Sequence, residues 1–239
     1  MTIFIGENRY MKKIVVLTGA GISEESGIKT FRDAGGLWEG HDIMDVASPK
    51  GWRKNKELVL EFYNLRRKQL QEVSPNDAHH YLVKLEEKYN MVIITQNVDN
   101  LHERAGSKNI IHLHGELLKV RSTLDENLVY DCKDDINIGD KCTKGSQLRP
   151  HIVWFGEDVP MMASALKEVI DADIIMVVGT SLQVYPAAGI LTYAPPEKRK
   201  IIIDRKVPDV RGVKNIEIYE MKASEGMKQV AEKLLEDAK

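Results

Sequence analysis

The sequence predicts an α/β fold, a doubly wound parallel sheet with a smaller lobe formed by two insertions. Three observations carry this. Short apolar runs rich in β-branched residues recur without polar alternation, as strands buried on both faces require. Helical patterns separate several of these runs, which is the arrangement that gives parallel strands. The first run ends in a glycine turn, Gly19-Ala20-Gly21, where an open α/β sheet presents its ligand loops.

Taken in order, Ile14–Leu17 reads as the first buried strand. Gly19 and Gly21 would let backbone approach a pyrophosphate. The dinucleotide fingerprint wants a third glycine three residues on, and position 24 is Glu, so a tight strand-to-helix turn fits this segment as well. Residues 38–74 hold a long helix, Lys56–Val73, and no strand. Asn76–Tyr89 carries Ala78, Tyr81, Leu82 and Leu85 at helical spacing. Met91–Thr95 and Asn109–Leu113 are strands, and residues 119–148 are polar. Ile152–Phe155, Ile174–Val178, Lys200–Ile203 and Ile216–Tyr219 complete the strands. Ser224–Ala238 is a helix with Ser224 placed to cap it. One domain thus spans 1–239, its large lobe about 11–37, 75–118 and 149–239, its small lobe 38–74 and 119–148.

A chain of 239 residues can bury an ample core. Its formal net charge of −2, without a basic run, argues against nucleic-acid binding. No apolar stretch is long enough to span a membrane. Met1–Met11 has no signal-peptide core or cleavage site and reads as a short extension, with Met11 a second candidate start. Two cysteines, Cys132 and Cys142, suggest a reduced cytoplasmic protein rather than a disulfide scaffold.

Four further segments carry chemistry. Thr95-Gln96-Asn97-Val98-Asp99 follows a strand and offers amides and a carboxylate suited to a carboxamide and ribose hydroxyls; an Asx-type helix cap would use the same groups. His112 and His114 share a face if they lie on a strand. A metal pair, satisfied core imidazoles and a general base at the strand's end are the three readings, and no third ligand stands at chelating spacing. Gly115 would let substrate come close. Pro150–Glu157 and Gly179–Ala188 follow, the latter a second ligand-facing loop after an apolar strand.

Together GAGISEESGIKTFR, TQNVDNLHERAG, the pair His114–Gly115, RPHIVWFGE and GTSLQVYPAAG resemble the sirtuin family of NAD-dependent protein deacylases, in the family's order and from about Lys13 to the C-terminus. The resemblance implies a Rossmann-like large lobe, a small lobe of helical and zinc modules, and a cleft between them for NAD and an acyl-lysine. It implies that Gly19, Ala20, Gly21 and Ile22 line the pyrophosphate and that Phe31 and Arg32 cover the nicotinamide side. Gln96 would contact ribose, with Asn97, Val98 and Asp99 at the nicotinamide pocket. Gly179, Thr180, Ser181, Asp204 and Ala223 would hold the phosphate and adenosine side, Asp204 standing where the family often has Asn. His114 would be the general base, with Asn97 and Asp99 orienting the carboxamide. Products would be free lysine, nicotinamide and O-acyl-ADP-ribose. Val153, Phe155, Gly156 and Glu157 would form an edge to which the acylated protein substrate adds as a strand. A monomer is the expected state.

Two departures are informative. Tyr63 and Arg66, at i and i+3 on the long helix, resemble the Tyr-x-x-Arg of the subgroup that removes negatively charged acyl groups such as succinyl and malonyl. A phenol and a guanidinium there can converge on one carboxylate. The small residues Ala34-Gly35-Gly36 before Trp38 would leave room for the chain. The zinc module is degraded: Ser122 sits where its first cysteine pair would begin, only Cys132 and Cys142 remain, and no His lies in 115–150. Tetrahedral structural zinc needs four such ligands, so none is expected. Rival readings are a Rossmann-type dehydrogenase, a mono-ADP-ribosyltransferase and a non-catalytic NAD or ADP-ribose sensor.

Overall fold

The computed structural model describes residues 11–28, 37, 38 and 40–238. In chain order these form β1 (Lys13–Thr18), the short α1 (Ala20–Ser23), a hairpin of β2 (Leu37–Trp38) and β3 (His41–Asp42), and four helices, α2 (Ile43–Val46), α3 (Pro49–Lys54), α4 (Lys56–Glu72) and α5 (Asp77–Leu85). Next come β4 (Asn90–Thr95), α6 (Leu101–Ala105), β5 (Ile110–His112), β6 (Gly115–Ser122), β7 (Val129–Asp131) and β8 (Leu148–Ile152). The chain closes with α7 (Met162–Ile170), β9 (Ile174–Val178), β10 (Arg199–Ile203), β11 (Ile216–Tyr219) and α8 (Ala223–Asp237).

The main sheet has the order β11-β10-β9-β1-β4-β5 and is parallel throughout. Because successive strand residues face opposite ways, Ile14 and Val16 pack with α5 and α8, while Val15 and Leu17 pack with α7. All four are fully buried. Each such side chain contributes about 1.5–3 kcal/mol by leaving water, so β1 is the axis of both cores. The loops that leave the carboxyl ends of β1, β4 and β9 meet above it.

The small lobe differs from the sequence expectation in its strands. The stretch 38–74 contains β3 and the second residue of β2, and β6 runs on to Ser122 with β7 beside it, so neither insertion is strandless. Ile152–Phe155 is not a strand of the main sheet. The strand is Leu148–Ile152, antiparallel to β6, and the loop beyond it turns at Gly156, whose φ is +91°. The amides of Val153, Trp154, Phe155 and Glu157 are all bonded within the protein, to His114 O, the Glu157 carboxylate, Ala47 O and Trp154 O. The expected peptide-adding edge is therefore a loop with few amides to offer. β5 is shorter than Asn109–Leu113, and Ser224 does not cap α8: its amide and hydroxyl both donate to Glu25.

Buried polar groups tie the small lobe together. Arg67, wholly buried, donates to Leu117 O and Asn64 Oδ1, and Asn64 in turn donates to Ile136 O and accepts from Ile136 N. Thus α4 grips β6 and the loop after β7. Where a zinc module would stand, Cys142 Sγ lies 3.4 Å from Ser122 Oγ and 3.2 Å from Ser146 Oγ, the two hydroxyls are 2.7 Å apart, and Lys144 pairs with Asp125. Among the described residues no group of three or more His, Cys, Asp or Glu could hold a metal. We expect EDTA to leave the melting temperature and activity unchanged, and elemental analysis to give well under one zinc per chain; a stoichiometric zinc would mean that these hydroxyls are not the module's support.

A second polar cluster lies under the sheet edge. Thr18 donates to Thr95 Oγ1 at 2.9 Å, so its oxygen must accept from His102 Nε2, 3.0 Å away. The His102 ring packs edge-on against His79, with centroids 4.9 Å apart. His79 Nδ1 accepts from the Asn76 amide at the start of α5. Burial lowers the pKa of both rings, His79 to about 4, and the positive charge of neighbouring histidines lowers them further. A folded-state pKa below the unfolded one means that the unfolded chain binds the extra protons. Stability should therefore be full above about pH 6.5 and fall as pH drops towards 4. Denaturant titrations across that range should show the decline, and His79→Gln should flatten it; an unchanged slope would place the acid sensitivity elsewhere.

Candidate active site

The loops leaving β1 and β9 are locked together by glycine. Gly21 N donates to Gly179 O at 2.8 Å and Gly19 N to Val178 O at 3.1 Å. A Cβ on Gly179 (φ +65°) would sit 2.2 Å from Ile22 N, and one on Gly21 would sit 2.7 Å from Gly179 Cα. These glycines are required by loop-on-loop contact, and the Gly21 amide is already used. Gly115 is likewise required by strand pairing rather than by an approaching substrate: at φ +81° its Cβ would lie 2.1 Å from His151 O.

Above this contact lies a cleft of about 650 Å³ between the lobes. Its wall includes Gly19, Ala20 and Gly21 from the first loop, Gln96, Asn97, Val98 and Asp99 from the second, and Gly179, Thr180 and Ser181 from the third. His114 joins them, with Tyr63 and Arg66 from α4 and Val153, Phe155, Gly156 and Glu157 from the loop after β8. Ile22 is buried beneath the wall, and Asp204 and Ala223 lie off it, also buried. Phe31, Arg32 and Ala34-Gly35-Gly36 lie outside the described residues.

The polar groups of the second loop serve two purposes. Asp99 Oδ1 accepts from Leu101 N, so it does cap α6, while Oδ2 accepts from Ser23 Oγ at 3.0 Å. Burial raises the Asp99 pKa against those two bonds. The Asn97 amide nitrogen donates to Gly19 O and Ser23 Oγ, so its carbonyl end has no partner among the described residues. Gln96 donates to Thr180 Oγ1 at 3.0 Å, joining the second loop to the third. Ser23 was missed in the sequence reading. It ends α1, in a polar stretch of sequence whose pattern gives no sign that it is fully buried and bonded to Asn97 and Asp99.

The two histidines do not share a strand face, because β5 ends at His112. His112 Nδ1 is 3.2 Å from Asn97 O and Nε2 is 2.7 Å from Glu103 Oε1. Burial opposes its charge, but Glu103 outweighs this and raises its pKa, so it forms an ion pair. His114 differs. Its Nδ1 is 2.9 Å from Gln96 O, which can only accept, so Nδ1 carries the hydrogen and Nε2 keeps its lone pair. Burial lowers its pKa, against that bond. Of the two, it is the one on the cleft wall.

At the α4 end of the cleft Tyr63 is fully buried and its hydroxyl accepts from Trp154 Nε1 at 3.0 Å. Arg66 lies over the Phe62 ring, 5.6 Å from its centroid. Arg149 holds the Glu157 carboxylate through two bonds, at 2.6 and 3.1 Å, Arg121 through a third, and Trp154 N donates to it at 2.8 Å. Trp154, Ile28, Leu117, Gln69 and Tyr185 also line the cleft, and as apolar or neutral side chains outside any polar motif they carry no chemical signal in the sequence.

A family model described as the Sir2 family matches residues 19–186. An NAD-dependent protein deacylase of Helicobacter pylori (strain J99 / ATCC 700824) is 56% identical over 228 residues, covering 95% of this chain and 97% of that protein. Another, from Bacteroides thetaiotaomicron, is 50% identical over 231 residues, covering 94% and 99%. The crystal structure of a Sir2 homologue–NAD complex superposes with a TM-score of 0.86 at 38% identity, covering 96% of this chain and 92% of that one. A Sir2 protein with a deacetylated peptide and 3′-O-acetyl ADP-ribose gives 0.78 at 31% identity, covering 94% of each chain. With the family model spanning most of the chain, and relatives of this identity matched along nearly their whole length, the chain belongs to the Sir2 family.

Proposed function

We propose that this protein removes acyl groups from lysine side chains of proteins in an NAD-dependent reaction, and that it favours acyl groups ending in a carboxylate. The observation that carries the reaction is the tautomer of His114: a buried imidazole on the cleft wall with Nε2 unprotonated and its ring fixed through Nδ1. NAD supplies a ribose carbon from which nicotinamide can leave. The unpartnered Asn97 carbonyl suits the carboxamide of that leaving group, and Asp99, fixed by Ser23 and Leu101, stands beside it. Gly19–Gly21 and Gly179–Ser181 suit the phosphates, with Asp204 and Ala223 towards adenosine. In this reading Phe31 and Arg32, outside the described residues, would cover the nicotinamide side. With both substrates bound, the acyl oxygen would take the ribose carbon as nicotinamide leaves, His114 Nε2 would accept the proton of a ribose hydroxyl as that oxygen adds to the acyl carbon, and water would complete release of the free lysine amine and O-acyl-ADP-ribose. A fixed ring places that base without further ordering cost.

For the acyl group, Tyr63 and Arg66 at the α4 end of the cleft supply a phenol and a guanidinium suited to a distal carboxylate. The peptide backbone lies along Val153–Glu157. The reading fits a cytoplasmic protein: both cysteines are free, and no described helix is long and apolar enough to cross a membrane.

Release of nicotinamide that requires an acylated peptide, and yields O-acyl-ADP-ribose, tests the reading against ADP-ribosyl transfer or a sensor. His114→Ala should lower kcat about a hundredfold to ten-thousandfold while NAD still binds; a loss of only a few-fold would place the base elsewhere. Because burial depresses the His114 pKa, the acid limb of kcat/KM should have its midpoint below the usual imidazole value of about 6.5. Arg66→Ala should reduce the preference for succinyl- over acetyl-lysine, as a ratio of kcat/KM, by about 2–4 kcal/mol. A ratio that stays constant while both activities fall would mean that Arg66 only supports the helix.

A further inference from the structure

The acyl end of the cleft holds an asymmetry in hydrogen bonding. Indole N–H can only donate, so the bond from Trp154 Nε1 makes the Tyr63 oxygen an acceptor there. The phenol's own hydrogen must then point away from Trp154, and it meets no acceptor among the described residues, though Tyr63 is wholly buried. A buried donor without a partner is costly, which makes it a waiting contact for whatever enters the cleft. Tyr63 lines that cleft with Arg66, itself donor-only.

Trp154 is held so that it cannot release this bond. Its amide is fixed on Glu157, and Glu157 is clamped by Arg149 and Arg121. The Arg149 guanidinium lies over the indole, 3.3 Å from the ring centroid, and Trp52 packs against it at 5.7 Å. Trp154 itself is 2% exposed. The polarity of Tyr63 is thus set from behind, through an ion pair some residues away in sequence.

We infer that Trp154 is a positioning residue for acyl discrimination: its indole N–H commits the Tyr63 hydroxyl to donate, so the pocket selects acyl chains whose far end can only accept. This rests on the acyl-pocket reading above. A carboxylate satisfies both donors. A carboxamide of the same shape brings its own N–H₂, which Tyr63 cannot accept while Trp154 occupies its oxygen.

The test compares peptides carrying succinyl-lysine and its isostere succinamoyl-lysine, assayed with NAD. The proteins are the parent, Tyr63→Phe, Trp154→Phe, the double variant, and a chain whose Trp154 indole is replaced by benzothiophene, which deletes the N–H and keeps the ring shape. The readout is the ratio of kcat/KM for the two peptides within each protein, which a general loss of fold or activity does not move. In the benzothiophene protein, and in Trp154→Phe if it folds, the ratio should fall about three- to tenfold, the weight of one hydrogen bond. The double variant should show no shift beyond Tyr63→Phe alone. A benzothiophene protein with the parent's ratio, while Tyr63→Phe shifts it, would overturn the role of Trp154 and leave the acyl pocket standing. A ratio unmoved by Tyr63→Phe as well would overturn the pocket reading itself.

Discussion

Two loops leave neighbouring parallel strands at the same edge of the sheet, and both must pass through the space directly above it. The contact between Gly21 and Gly179 is what allows this. With the Gly21 amide on Gly179 O and no room for a Cβ on either residue, the backbones lie at a separation no side chain would permit. The Gln96 loop then closes on the pair through Asn97 to Gly19 O and through its own amide to Thr180. Three loops become one rim, which carries Gln96, Asn97, Asp99, Thr180 and Ser181.

The rim is polar and buried, so nearly every group on it has a structural partner. Asp99 caps a helix and orders Ser23; Thr18 and Thr95 bond each other and His102. Such networks are stable only when satisfied, and they then leave few groups available. The exceptions are therefore informative. His114 Nε2, the Asn97 carbonyl and the Tyr63 hydroxyl proton are the places where the network stops at the cleft, and each faces a different part of the proposed substrate pair. Comparable histidines show the contrast. His112 is neutralised in function by Glu103, and His79 and His102 are kept neutral by burial, while His114 alone combines a fixed tautomer with a place on the wall.

The small lobe solves a different problem. It must hold an irregular, polar segment in place. It does so from two sides, with Arg67 and Asn64 of α4 reaching backbone carbonyls, and with the hydroxyls of Ser122 and Ser146 around Cys142. The same helix carries Tyr63 and Arg66, so the element that anchors the lobe also lines the cleft.

The sequence by itself determined the sheet, its buried strands, the helices that cover it and the family, because these depend on local periodicity and on contiguous motifs such as Thr95–Asp99 and Gly179–Ser181. It also singled out Tyr63, Arg66 and His114, whose chemistry is rare enough at those spacings to stand out. The tertiary structure decided what each group is free to do. That the amides of Val153 and Phe155 are already used, that Gly115 serves strand pairing, and that Ser224 binds Glu25 instead of capping all depend on partners distant in sequence. The roles of His112 and His114 were inseparable by spacing and differ because one meets a carboxylate and the other a carbonyl. A side chain's identity fixes which bonds it can make, and only the packed chain fixes which of them are already taken.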